Sequence, residues 1–221
     1  MTPDIIDCHT HHADATAALI AVDPRQFDPQ PGLWYSVGYH PWYDIDKLTD
    51  ADFKLLELHA RHPQVLAIGE TGLDSLRGAD LETQASVFVR HLQVAHATSK
   101  PVVVHCVRTA QRIIDERRKA GLTAVPLAIH GMRANERIAR TLLDAGCYLS
   151  FGIRFNPATL LATPHDRMLI ETDEAPATIH EVATAIADVL ATTADDVIAL
   201  ATRNLHRFLQ SANEVAIPQH K

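Results

Sequence analysis

The chain has 221 residues, 47% of them hydrophobic, with 27 acidic against 20 basic side chains and a formal charge of −7. That length supports one sizeable core, and an acidic balance without a basic tail argues against a broad nucleic-acid-binding surface; it leaves room for a chain end or a small phosphoester held by a metal ion and a few arginines. No window approaches the roughly 18 apolar residues of a membrane span, the start carries Asp4 rather than a basic region, and Cys8, Cys106 and Cys147 are too scattered for a disulfide framework, so a cytoplasmic protein with no membrane association and no obligate protein partner is expected.

In chain order, the apolar run DIIDCH at 4–9 is followed by THHADAT, too short for a full helix, and then by AALIAVD at 17–23. LWYSVGYH at 33–40 and VLAIGE at 65–70 come next. From 81, LETQASVFVRHLQVAHATSK carries Leu81, Ala85, Phe88, Leu92 and Ala95 at spacings of three and four, the period of an amphipathic helix. VVVHC at 102–106 leads into RTAQRIIDERRKAG from 108, which ends at Gly121, and PLAIHG at 126–131 leads into ANERIARTLLDAG from 134, with Ile138, Leu142 and Ala145 on one face. CYLSFG at 147–152 and RMLIETD at 167–173 complete eight strand candidates, and TTADDVIALATRNLHRFLQ reads as a last helix capped near Thr193. Continuous apolar runs interleaved with helices predict an α/β fold, a compact single-domain (β/α)8 barrel of the TIM type over 1–221 with a degenerate first crossover. An open doubly wound sheet would carry a glycine-rich phosphate fingerprint, and none is present.

Active sites of such barrels lie where the strands end at their C-terminal side. Those ends supply His9, His11, Glu70, His105, His130 and Asp173 as ligand candidates, with His40 following the third strand beside them. Imidazoles and carboxylates suit a divalent zinc, manganese or magnesium ion, and six such groups exceed the three protein ligands of a simple catalytic zinc. The surplus fits two ions sharing a carboxylate, about 3.5–4 Å apart. Singly, each residue has a plain structural reading: a solvated strand end for His9 and His11, a turn acceptor for Glu70, core histidines for His105 and His130, a loop cap for Asp173. Together they converge on one mouth, where unpaired ionisable groups are costly to bury without a cation. On an ideal strand Asp7 shares a face with His9 and His11 and supports them, while Cys8, Thr10 and His12 face away, as does Cys106 from His105. His59, His62, His91, His96, His180 and His206 fall in helical patterns and are expected on the surface or in helix packing.

These motifs resemble those of the TatD-type metal-dependent hydrolases of the amidohydrolase superfamily. DCHTHH resembles the family's Asp-x-His-x-His opening, VGYHP its Gly-x-His-Pro strand end, IGETGLD its Gly-Glu-x-Gly-Leu-Asp turn, and ETQASVFVRHLQVAHATSKPVVVHC its helix and strand leading to a third metal histidine. IHG, LIETDEAP and RNLHRFL follow in the family's order. The resemblance implies a TIM-type barrel and Mg²⁺-dependent deoxyribonuclease activity of the 3′ to 5′ exonuclease type, on DNA ends or a small phosphodiester. By position it also implies His9, His11, Glu70 and Asp173 on one ion and Glu70, His105 and His130 on a second. Several amidohydrolase relatives bridge their ions with a carboxylated lysine, but no lysine stands at a catalytic strand end here, Lys100 lying at the start of its strand, so Glu70 is the expected bridge. HGMRAN replaces the family's His-Cys-Phe-Ser-Gly, HCVR replaces His-Cys-Arg, and the segment after ETDEAP is short, which brings Arg133 and Arg108 to positions where substrate contacts are expected.

Two divalent ions (Mg²⁺, Mn²⁺ or Zn²⁺) would polarise a phosphodiester oxygen and lower the pKa of a water from about 15.7 towards roughly 7. Asp173 and Glu70 are then the catalytic carboxylates, with Asp173 orienting the water and accepting its proton. Arg108, Arg133 and Arg154 are the expected phosphate contacts and His40 a contact on the leaving side. The same set serves hydrolysis of esters or amides, such as aminoacyl esters on RNA, and a metal-binding scaffold without turnover is a reading of another class.

Overall fold

The computed structural model describes residues 4–214. Eight parallel strands, β1 (Asp7–Thr10), β2 (Ala18–Val22), β3 (Trp34–Val37), β4 (Val65–Asp74), β5 (Val102–Val107), β6 (Leu127–Ile129), β7 (Tyr148–Phe151) and β8 (Met168–Ile170), pair in chain order, and β8 returns to β1 through Asp7 and Ile170 to close the barrel. The helices are α1 (Asp50–Ala60), α2 (Leu81–Thr98), α3 (Ala110–Lys119), α4 (Glu136–Asp144), α5 (Pro157–Ala162), α6 (Ile179–Leu190) and α7 (Ala194–Glu214). This is the predicted (β/α)8 barrel. Among the described residues no helix is long and apolar enough to cross a membrane.

The first crossover, residues 11–17, has no helix, as expected. The second is reduced as well: between β2 and β3 only the single 3-10 turn Pro24–Gln26 forms. Pro24, Pro29 and Pro31 each lack the N–H that an α-helix interior needs, so DPRQFDPQPG cannot wind into one. Local chemistry sets the other helix ends. The Asp80 carboxylate accepts the N–H groups of Glu82 and Thr83 at the start of α2, and Thr193 Oγ1 accepts the Asp196 N–H at the start of α7, where the sequence placed the cap. The terminal asparagine-bearing segment has a mechanical role: Asn204 donates to the carbonyls of His165 (2.6 Å) and Met168 (2.8 Å), tying α7 to the start of β8.

The core has two parts. Leu19 from β2, Ala67 from β4, Val103 from β5, Ala128 from β6 and Leu169 from β8 belong to one buried cluster with Leu205, Phe208 and Leu209 of α7. Residues of β2 and β6, on opposite sides of the barrel, join one cluster only through its lumen, so α7 plugs the barrel floor. Alternate residues such as Ile20, Val37, Ile68, Val104, Ile129 and Ile170 pack outward against the helices. Fully burying each such side chain contributes about 1.5–3 kcal/mol.

Two strands break the alternation. β1 shifts register between Asp7 and Thr10, and β4 between Ile68 and Thr71. These irregularities, of the kind that re-aim side chains beside active sites, fall next to His9 and Glu70. β4 also runs past Glu70 to Asp74 against β5, so closely that glycine is required: a Cβ on Gly69 (φ +130°) would lie 2.4 Å from the Val103 carbonyl oxygen, and one on Gly72 (φ +148°) 2.1 Å from that of His105.

Candidate metal centre

The end of β1 and the segment after β8 are stitched together. Asp173 N–H donates to the His9 carbonyl (3.0 Å) and His11 N–H to the Asp173 carbonyl (3.1 Å), which sets the Asp173 carboxylate between the two imidazoles. Asp173 Oδ1 lies 3.8 Å from both His9 Nε2 and His11 Nε2. Asp173 holds a left-handed backbone (φ 55°), uncommon outside glycine and tolerated best by Asp and Asn. It is partly exposed, whereas His9 is fully buried.

Glu70 is the hub. Its carboxylate is 3% exposed and meets five imidazoles. Oε2 lies 3.2 Å from His9 Nε2 and 3.2 Å from His11 Nε2, on the Asp173 side. Oε1 lies 2.6 Å from His130 Nε2, 2.8 Å from His105 Nδ1 and 3.1 Å from His40 Nε2. One carboxylate thus presents one oxygen to each of two imidazole groups. Burial pushes the Glu70 carboxyl up, but the charges of His130 and His9 and the hydrogen bonds of His105 and His11 outweigh it and hold the group well below the usual carboxylate range. Burial and neighbouring His130 push the His9 imidazole down against the pull of Glu70, which favours the neutral ring that a metal ion takes.

The structure brings His9, His11, Glu70, His105, His130 and Asp173 together as the sequence reading required. It also draws in His40, expected to contact substrate, whose ring stands within the Oε1 group with Glu70 and His105. Behind this ring lie supports to which sequence reasoning gave no role. Asp74 Oδ2 lies 3.2 Å from His105 Nε2 and accepts the Trp42 indole N–H at 2.7 Å, and Asp74 Oδ1 accepts the Leu76 N–H. Burial raises the Asp74 carboxyl, yet these donors together hold it below its ordinary value. Buried Gln84 accepts the Asp74 N–H and donates to the carbonyls of Asp74, Arg77 and Ala79, fixing the turn after β4. Glu171 is fully buried beneath His130, with Oε1 3.6 Å from His130 Nδ1 and 2.6 Å from the Gly131 N–H it accepts. The signal for Asp74 and Glu171 was in the quoted motifs, GETGLD and LIETDEAP.

Two expectations on β1 are corrected. Asp7 does not support the histidine rings: Oδ2 lies 2.6 Å from the Thr172 hydroxyl, and Oδ1 accepts the backbone N–H groups of His9 and Thr172. Its carboxyl, pushed up to about 7 by burial, props the β1–β8 seam. Cys8 does not face away from His9 but joins the lumen cluster, its Sγ 2.9 Å from Ser150 Oγ. The register shift in β1 is the cause of both. His12 is exposed, its Nε2 2.9 Å from the Ala175 carbonyl. His62 lies in the turn after α1, where its Nδ1 accepts the Gln64 N–H, and His91 is buried in helix packing.

The donor set fits divalent ions on a specific observation. With an ion bound, Asp74 Oδ2 at 3.2 Å would hold the His105 proton on Nε2, so that Nδ1 would turn a lone pair towards the centre beside Glu70 Oε1, 2.8 Å away. Two lone pairs at that distance need a cation or a proton between them, and the same oxygen already faces the rings of His130 and His40. His9 Nε2, which faces Glu70 and Asp173, is buried without a hydrogen-bond partner, as a ligand position is.

A cavity of about 530 Å³ opens from His11, His40 and Glu70 over the ends of β2 and β3. Arg108, Arg133 and Arg154 do not line it. They stand exposed on the loops after β5, β6 and β7, without an ion-pair partner among the described residues.

The comparisons agree with this geometry. Residues 25–210 match the family model described as TatD related DNase. An uncharacterized metal-dependent hydrolase of Bacillus subtilis, YabD, is 26% identical over 199 residues, covering 80% of this chain and 78% of that one. The 3′-5′ ssDNA/RNA exonuclease TatD of Cronobacter turicensis is 33% identical over 153 residues, covering 64% of this chain and 57% of its own length. Over the curated relatives it matches, the chain spans as little as 54% of their length. In three dimensions the crystal structure of YJJV, a TatD homolog from Escherichia coli K12, superposes with a TM-score of 0.80 at 19% identity, covering 94% of this chain and 98% of that one. With the match running from the turn after β2 into the last helix, the chain belongs to the TatD-related DNase family of metal-dependent hydrolases.

Proposed function

We propose that the protein is a two-metal phosphodiesterase of the 3′ to 5′ deoxyribonuclease type. The observation that carries the reading is the division of the Glu70 carboxylate between two imidazole groups. His9, His11, Asp173 and Glu70 Oε2 would hold one divalent ion, and His105, His130 and Glu70 Oε1 the second, with His40 beside it. Bound ions supply Lewis-acid polarisation of a phosphoryl oxygen and an activated water. The choice of bond rests on the relative named as a 3′-5′ ssDNA/RNA exonuclease.

The protein's own residues do the rest. Asp173 is the carboxylate of the set that reaches solvent, so it is placed to take a proton from an incoming water, while buried Glu70 stays ionised and cannot carry protons to bulk. Asp74 and Trp42 keep the Nδ1 lone pair of His105 aimed at the centre. Arg108, Arg133 and Arg154, on the far rim, are free to meet backbone phosphates.

The test compares chelated enzyme with enzyme given Mg²⁺, Mn²⁺ or Zn²⁺ on equal panels of DNA 3′ ends, carboxyl esters and small amides. The expected result is end cleavage that needs metal and falls more than about a hundredfold in Glu70→Gln, with loss of bound ions. Metal-independent cleavage, or turnover confined to the esters or amides, overturns the proposal.

A further inference from the structure

The cavity of about 530 Å³ meets the metal centre on one side only. Its floor carries His11, His40 and Glu70, and its walls are the β2–β3 connection, with Arg25 and Gln26, and the turn after β3, with Tyr43. The exposed arginines of the far rim take no part in it. A volume of about 530 Å³ lies within the roughly 300–1,000 Å³ of small-ligand clefts.

Tyr43 stands out on this wall. It is 61% exposed, an unusual setting for a large aromatic beside a polar site, and its ring centroid is 5.4 Å from that of His40 at 45°. The turn presenting it is rigid. Its neighbour Trp42 is anchored through the indole N–H to Asp74 at 2.7 Å, Arg77 lies over the Trp42 ring 4.7 Å from its centroid, and Tyr43 N–H closes the turn on the His40 carbonyl. The ring therefore offers a free, pre-positioned face next to a candidate metal group, at no ordering cost to the backbone. On the β2–β3 wall the Arg25 guanidinium is held by Asp23 at 2.9 Å and 2.5 Å, and Gln26 is exposed beside it. Together they offer hydrogen-bond donors and acceptors to the edge of a planar group.

We propose that Tyr43 is the stacking platform for the nucleobase next to the scissile phosphodiester, and that the β2–β3 wall reads that base's edge. The inference rests on the phosphodiesterase reading and adds a binding residue to it. The backbone then leaves across the β5–β7 rim while the terminal base enters the cavity.

The experiment uses metal-loaded full-length enzyme, as wild type, Tyr43→Ala and Tyr43→Phe, on two single-stranded oligonucleotides that differ only in a natural or an abasic 3′-terminal nucleotide. On the natural end Tyr43→Ala is expected to raise KM about tenfold with kcat little changed, the loss produced by removing one base–aromatic stack, and Tyr43→Phe to restore it. On the abasic end the three enzymes are expected to share one raised KM. An unchanged KM in Tyr43→Ala, an equal rise on both ends, or no rescue by Phe overturns the inference while leaving the phosphodiesterase reading intact. Failure of the wild type to cleave either oligonucleotide overturns that reading and the inference with it.

Discussion

His91 of α2 is fully buried, and both its ring nitrogens are committed: Nε2 accepts the Tyr39 N–H at 2.9 Å, and Nδ1 lies 2.8 Å from the Val87 carbonyl. The Tyr39 N–H can only donate, so the ring is neutral with its proton on Nδ1. Burial pushes its pKa from 6.5 to about 4, against the partial support of the Val87 carbonyl. The unfolded chain takes up this proton near pH 6.5 and the folded one near pH 4, so stability is complete above 6.5 and drains away as pH falls through that window. The full difference is about 3 kcal/mol, of which about 2.5 kcal/mol is lost by about pH 4.5. Gln at this position keeps one donor and one acceptor but no titration. Urea unfolding in chelator at about pH 7.5 and about pH 4.5 should show wild type losing about 2.5 kcal/mol more than His91→Gln. Equal losses in the two proteins would refute the assignment of a buried neutral imidazole.

Trp42→Phe keeps the ring but removes the indole donor to Asp74, and should weaken metal binding about tenfold, read by competition with a fluorescent chelator, without abolishing the fold. Phe208→Ala, in the α7 plug beside Tyr148 at a 5.3 Å ring separation, should cost about 3–5 kcal/mol in denaturant unfolding at unchanged metal stoichiometry. Added divalent metal at about 100 times its Kd should stabilise the native state by about 2.7 kcal/mol, a rise in Tm of about 5–11 °C for a chain of this size; no shift with any of Mg²⁺, Mn²⁺ or Zn²⁺ would count against the centre.

Residues on regular strands were legible from sequence. In β5, β6 and β8, inward positions follow period 2 from Val103 to His105, from Ala128 to His130 and from Leu169 through Glu171 towards Asp173, so an apolar run ending in a polar residue told both the strand and the direction of its last side chain. Asp7 and Cys8 were misplaced because a register shift has no signature in residue types. The reduced second crossover was visible in its prolines but not weighed, and Asp74 was quoted in a motif without a role because β4 was ended at Glu70 when it continues for four residues more. Tyr43 and Arg25 come from loops whose meeting in one cavity depends on the closed barrel.

The register shift in β4 is also what makes a two-group centre possible. Ala67 faces the lumen, and strict alternation from it would send Gly69 inward and Glu70 outward among the helices. The irregularity between Ile68 and Thr71 turns Glu70 inward instead, and glycine at 69 gives the backbone room against Val103. From β4 the carboxylate reaches across the mouth, so one oxygen meets His9 and His11 at the end of β1 while the other stays with the ends of β3, β5 and β6. The contact of Glu70 with both imidazole groups thus follows from where in the barrel the acidic residue is seated, and Gly69 gives the backbone the room to seat it there.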